Sequence, residues 1–251
     1  MLLCYLYVFC VGACCGSSAL LAADRIPEKR SIVKGRSHCT YCNHVLTWYE
    51  LIPITSYVFC KGRCRYCGRK LSLIYPCMEL AGGILACICF FRYGFTLQTI
   101  TSFSVIMILT VMSIIDFRTL LIYDKTLFLL AGAGLVHCMG KGNVQLLSVM
   151  QSALTVSVPM FLVNRLIKDA YGEGDIHLMA ITGLFLLPAE NILAALTGTL
   201  CAGVSALFLL MTGRVHKGAH IPFAPYLSIG IGMAMLYGNN IINWYIRTFL
   251  G

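Results

Sequence analysis

The sequence predicts an all-α polytopic membrane protein with about eight transmembrane helices and a small cytosolic Cys₄ insert that binds zinc. Three observations lead there. Hydrophobic residues fill 59% of the 251 positions and charged residues only 12%, with a mean hydropathy of +0.81, well outside the composition of soluble domains. The apolar residues gather in runs of roughly 15 to 23, long enough for a helix to cross about 30 Å of hydrocarbon. Two CxxC pairs sit together in the one long polar block.

The first run, 2–23, is followed rather than preceded by positive charge, which suits a retained helix with its N-terminus outside better than a signal peptide. The block 24–74 carries ten of the nineteen Lys and Arg residues and only three acids, Asp24, Glu28 and Glu50. Such a segment stays in the cytosol. The remainder, 75–251, has apolar runs at about 76–91, 96–116, 124–140, 143–167, 175–188, 190–212 and 221–237. Threaded alternately, these put Arg118, Lys125, Arg165, Lys168, Arg214 and Lys217 on the side of the block, and Arg92, Lys141 and Arg247 opposite. That is the asymmetry of cytosolic loops, so the net charge of +9 reports orientation in a lipid bilayer and not nucleic-acid binding. The run from Asp175 is short for a span, and the last apolar stretch, 241–250, reads as interfacial.

Cys39-Thr40-Tyr41-Cys42 and Cys64-Arg65-Tyr66-Cys67 have the spacing of structural zinc sites, in which each knuckle aims two thiolates at one tetrahedral ion. The reducing cytosol favours a metal over disulfides. A block this small and polar also makes a weak core of its own, so a metal adds folding free energy. Cys60 is a spare or substitute ligand, and His38 and His44 read as solvated neighbours. The cysteines in the apolar runs read as small buried hydrophobes.

Ionisable groups at membrane depth cost roughly 2.5–3.5 kcal/mol or more, so each one there is a candidate for function. Asp116 closes the run before it at the cytosolic end, and Asp175 opens another within Tyr171-Gly172-Glu173-Gly174-Asp175. Two adjacent carboxylates cannot both ionise, so one keeps a proton and acts as acid while the other activates water, which is the chemistry of peptide hydrolysis without a covalent intermediate. Gly172 and Gly174 would let the backbone approach a substrate and take conformations denied to other residues. The dipole of a helix beginning at Asp175 would favour that residue as the base. Spacing alone equally allows both aspartates to be interfacial caps. Asp124, in Tyr123-Asp124-Lys125-Thr126, looks like the cap of a helix. Glu79, a lone acid entering an apolar run after Tyr75-Pro76, reads as a support for the insert or as a solvated interfacial residue.

Taken together, Ser37 to Cys42, Trp48 to Pro53, the second knuckle, Ile74 to Leu80, Ile115 to Asp124, Gly172 to Asp175 and Ile221-Pro222-Phe223-Ala224-Pro225-Tyr226 resemble, in order, the motifs of the type IV prepilin peptidases, whose GxGD motif is shared with preflagellin peptidases and presenilins. The resemblance implies a bacterial inner-membrane aspartic peptidase with Asp116 and Asp175 as its dyad. It would cut a short basic leader from prepilin or pseudopilin precursors after a glycine. It also implies N-methylation of the new terminus with S-adenosylmethionine, linked to the cytosolic domain and with Glu79 a candidate supporting residue. Two departures stand out: Gly16-Ser17-Ser18-Ala19-Leu20 lacks the Asn of the family's Gly-Ser-Phe-Leu-Asn, and His177 stands where a Lys often follows GxGD. Other classes make different demands. An ion transporter would place acids near span centres, and a zinc-bearing methyltransferase or assembly factor would modify a precursor without cutting it.

Overall fold

A computed structural model describes residues 1–33, 35–142, 145–167, 170–214, 216 and 220–249, so Lys34, Lys168 and Lys217 of the charge count lie outside the described residues. The chain forms two compact units, Met1–Phe95 and Thr96–Gly251.

The first unit is a helical hairpin with the polar block between its arms. Helix α1 (Leu2–Arg25) packs along α3 (Ile74–Tyr93); between them lie a 3₁₀ turn (Trp48–Leu51) and a short α2 (Thr55–Phe59). The two long helices meet backbone to backbone. A Cβ on Gly12 would stand 2.6 Å from the Gly82 carbonyl oxygen, and one on Gly16 would run into the Met78 carbonyl. In lipid, where hydrophobic burial gives no drive for two helices to associate, such small-residue contact supplies the dispersion energy.

The second unit contains α4 (Leu97–Thr119), α5 (Asp124–Gly140), α6 (Leu146–Leu166), α7 (Glu173–Thr182), α8 (Pro188–Met211) and α9 (Ala224–Phe249). Helix α9 packs on α4 and α8, α5 lies against α4 and α7, and α6 against α7 and α8. Leu109, Met112 and Ile115 of α4, Leu178 and Met179 of α7, and Leu227 and Ile231 of α9 are fully buried. Large apolar side chains such as Phe91, Phe128, Leu146, Leu200 and Val204 are instead exposed, an apolar surface suited to lipid. Asn191 knits three helices: its amide donates to the Ser152 carbonyl at 2.9 Å and the Met179 carbonyl at 3.3 Å, and its Oδ1 accepts from Thr182 at 2.8 Å.

Each predicted apolar run contains a helix, but a count of eight spans is not confirmed. Among the described residues five helices, α1, α3, α4, α6 and α8, are long and apolar enough to cross a bilayer. Helix α7 has ten residues, about 15 Å, half the hydrocarbon thickness. It stops at Gly183, whose missing side chain leaves room for the Ala153 backbone, and Pro188 opens α8 soon after. The stretch 241–250 is not a separate interfacial segment, since α9 continues unbroken to Phe249 and Asn239 and Asn240 are both helical. The polarity boundaries at 23 and 74 and the packing boundary at Phe95 divide the chain differently, because α3 packs on α1 across the polar block.

Candidate active site and metal centre

The two cysteine knuckles have the same construction. Cys39 N–H donates to the His44 carbonyl and Asn43 N–H to the Cys39 carbonyl; Cys64 N–H donates to the Arg69 carbonyl and Gly68 N–H to the Cys64 carbonyl, all at 2.9 Å. Asn43 (φ 54°) and Gly68 (φ 68°) stand at equivalent places in the left-handed region, where these two residue types carry the least steric cost. Bridges His38–Val45 and Arg63–Lys70 close the loops. The four Sγ atoms lie within 4.8 Å of one another, with Cys39–Cys67 at 4.0 Å and Cys42–Cys64 at 3.9 Å. A tetrahedron with Zn–S bonds of about 2.3 Å has edges of about 3.8 Å. The residues therefore fit the ion. Burial opposes ionisation of Cys39, but the amides of Cys42 and Tyr41 outweigh it and hold the thiol at about 7. At Cys42 the His44 amide pulls downward, yet burial and the sulfurs of Cys39, Cys67 and Cys64 push it up to about 11. Four thiolates need a cation among them.

Glu79 is buried, not solvated at an interface. Ser17 of α1 donates to its Oε1 at 2.9 Å, and the Ile54 N–H donates to its Oε2 at 2.7 Å. Ile54 is held at φ 62°, ψ −52°, a conformation unfavourable for a β-branched residue. Glu79 thus joins both long helices to a strained point of the insert. Beside it opens a cavity of about 510 Å³, lined among others by Ser17, Asp24, Arg25, Glu50, Tyr75 and Glu79. Glu50 is fixed by accepting from both the N–H (2.9 Å) and the hydroxyl (2.7 Å) of Thr47. Burial works against its charge, but the Thr47 bonds win and hold its carboxyl below the usual range.

In the second unit, burial sorts the acids. Asp124 and Glu173 are exposed, Asp169 lies outside the described residues, and Asp116, Asp175 and Glu190 are buried. Glu190 caps α8 by accepting the Leu187 N–H at 3.0 Å. Asp116, 6% exposed, accepts the N–H of Ala224 at 3.0 Å through Oδ2. Asp175 is 8% exposed, its Oδ1 has no hydrogen-bond partner among the described residues, and Asp116 is the charged neighbour that acts on it. Two helix N-termini converge here: Asp175 lies in the first turn of α7, and Ala224 is the first residue of α9.

The glycines do not take the unusual backbone conformations expected of them, and they make close contacts inside the fold. Neither Gly172 nor Gly174 is at positive φ. Gly174 lets α7 close on the loop that follows Asp116, since a Cβ there would come within 2.7 Å of Ile122 Cβ, and a Cβ on Gly172 would stand 3.0 Å from Asp175 Oδ2. Phe223 rests against Tyr171 with ring centroids 5.8 Å apart, and Tyr171 N–H is anchored on Asn164 at 2.9 Å, which ties the approaches to α7 and α9 together. Asp124 is the first helical residue of α5 rather than its cap; Tyr123 holds that position without a side-chain bond. His177 is exposed. Sequence reasoning missed the Ala224 amide, the Ser17 hydroxyl and the Ile122 contact. The motifs Ile221–Tyr226, Ile115–Asp124 and Gly16–Leu20 mark the segments that hold them, without indicating these contacts.

Residues 10–93 match the model of the bacterial Peptidase A24 N-terminal domain, and residues 103–211 that of the Type IV leader peptidase family. The chain is 33% identical over 252 residues to a prepilin leader peptidase/N-methyltransferase of Bacillus subtilis (strain 168), spanning 97% of this chain and 98% of that protein. To proteins of the same description it is 33% identical in Myxococcus xanthus (strain DK1622), over 83% of this chain and 64% of that one, and 31% identical in Aeromonas salmonicida (strain A449), over 89% and 78%. No solved structure matches the chain.

Proposed function

The chain belongs to the type IV leader peptidase family, and we propose that Asp116 and Asp175 are the carboxyls with which it removes the leader from prepilin or pseudopilin precursors. It is a bifunctional membrane enzyme, a prepilin leader peptidase and N-methyltransferase. Its setting on this reading is the bacterial inner membrane, with the insert and the dyad facing the cytosol. The observation that carries the dyad is the contrast among buried acids. Glu79 has both oxygens engaged and Glu190 caps a helix, whereas Asp175 Oδ1 has no partner among the described residues and feels the charge of Asp116.

The dipole of α7 alone favours Asp175 as the base, but it is worth roughly 0.3–1 kcal/mol, while a hydrogen bond to a charged group contributes about 1.5–3. The Ala224 amide therefore makes Asp116 the base and Asp175 the acid. Asp116 takes a proton from water as the oxygen attacks the scissile carbonyl, and Asp175 gives its proton to the carbonyl oxygen. On collapse the C–N bond breaks, Asp175 recovers a proton from the diol, and Asp116 delivers its proton to the leaving amine. Both end as they began. The test is incubation of the reconstituted protein with a candidate prepilin, reading the product's N-terminus by mass spectrometry. Cleavage retained in Asp116→Asn would sink the assignment.

For the second activity, S-adenosylmethionine supplies an electrophilic methyl group when bound. The cavity of the first unit is in the size range of small-molecule sites. Asp24, Glu50 and Glu79 would offset the sulfonium charge, and Arg25 would take the donor's carboxylate. Photo-crosslinking with radiolabelled donor should mark peptides containing 17–25, 50–57 or 75–79. Labelling confined to 96–251 would exclude the cavity. One zinc per chain on Cys39, Cys42, Cys64 and Cys67 completes the reading, and active protein that contains no metal by elemental analysis would reject it.

A further inference from the structure

The insert exposes apolar side chains that its fold leaves uncovered. Trp48 is 76% exposed, Val58 66% and Phe59 80%, with Leu51 and Ile52 also open. They lie on neighbouring elements, because the Trp48–Leu51 turn packs on α2. Cation-bearing residues follow at once. Lys61, Arg63 and Lys70 are exposed, and an isolated antiparallel bridge sets Arg63 and Lys70 opposite each other.

We propose that the insert rests on the anionic headgroup layer of the membrane that holds α1 and α3, burying Trp48, Val58 and Phe59 at the interface with Lys61, Arg63 and Lys70 against lipid phosphate. Three observations favour lipid over a protein partner. The block 24–74 carries ten basic residues against three acids, the complement of an anionic leaflet. Both ends of the insert run directly into helices long and apolar enough to span, α1 at Arg25 and α3 at Ile74, so the bilayer is the one surface always within reach and docking is effectively intramolecular. Side chains of the Trp and Phe type beside Lys and Arg are the pairing that settles at the headgroup level, with amphipathic rings below and charges above. The insert is thereby held flat instead of swinging on its two connections, which keeps the Glu79–Ile54 contact at a fixed depth.

The protein has two tryptophans, Trp48 and Trp244, so Trp244→Phe leaves Trp48 as sole reporter. That variant is reconstituted, full length and with its zinc content checked, into vesicles of phosphatidylcholine alone or with phosphatidylglycerol. Lipids brominated near the headgroup should quench about half of the Trp48 emission in the anionic vesicles, and soluble iodide should quench little. Adding Lys61→Glu, Arg63→Glu and Lys70→Glu should restore emission and expose Trp48 to iodide. Trp48 open to iodide and untouched by bromolipid in anionic vesicles would overturn the proposal. So would protection from iodide that appears only when a prepilin is added, since the occupant would then be protein.

Discussion

The two units hold their sites by opposite means. In the first, a polar segment with few buried side chains is organised around four sulfurs, and one carboxylate, Glu79, ties it to the helices. In the second, the two carboxyls proposed as the dyad are set by the packing of long helices, with Asp116 directly after the fully buried Ile115 and Asp175 three residues before the fully buried Leu178. A site built on chelation collapses when a ligand is lost. A site built on packing keeps its shape and loses only chemistry.

The widest gap between the units is expected at the dyad. Asp116→Asn and Asp175→Asn should each reduce cleavage at least 10²–10⁴-fold with the membrane fold intact, and the double variant should be scarcely worse than either. Asp124→Asn should keep substantial cleavage, because an exposed acid at the start of α5 does no chemistry. Rates are to be compared at equal amounts of folded protein. If Asp124→Asn abolishes cleavage while Asp116→Asn spares it, Asp124 is the partner of Asp175.

Cys64→Ser should show the opposite pattern. Metal is lost, the insert becomes protease-sensitive, and methylation falls with it, while the second unit melts as before. Glu79→Gln sharpens the contrast, because an amide can accept only one of the two bonds now made at 2.9 and 2.7 Å. Leaving a half-buried donor unpaired costs at most about 1–3 kcal/mol, so methylation should drop by roughly 5-fold and at most about 160-fold, and cleavage much less. Equal loss of both activities would mean that Glu79 serves the whole molecule.

The smallest expected effect is at Glu50. Its folded pKa lies below the ordinary carboxylate value, so its contribution is present above about pH 4.3 and is lost as pH falls through the lower folded value. Glu50→Gln should therefore soften the insert slightly at pH 7, with the difference shrinking as pH falls below about 4.3, measured by proteolysis of the 26–73 segment.

The cysteine site was legible because a knuckle is local: spacing, turn and ligand all lie within a few residues. The burial of Asp116 and Asp175 was legible through the cost of a carboxyl at membrane depth, and the resemblance to the family's motifs favours a dyad over caps. The Ala224 amide was not legible in chemical terms, because a backbone N–H has no residue type to mark it and lies 108 positions from the carboxylate it serves. The space Gly174 leaves for Ile122 was not legible, because it is a distance no periodicity encodes. The count of eight spans is not confirmed, and α7 is its weakest member, a run already short for a span that ends as a helix before Gly183.

The bond from Ala224 to Asp116 also sets an order of events during synthesis. A chain inserted as far as α8 already contains both aspartates, but the amide that orients one of them belongs to the final helix. With Asp116 as the proposed base, hydrolysis waits for α9 to dock on α4, and a chain cut before α9 is expected to be inert. On that reading the timing is a safeguard for other nascent chains, written into the order of the helices.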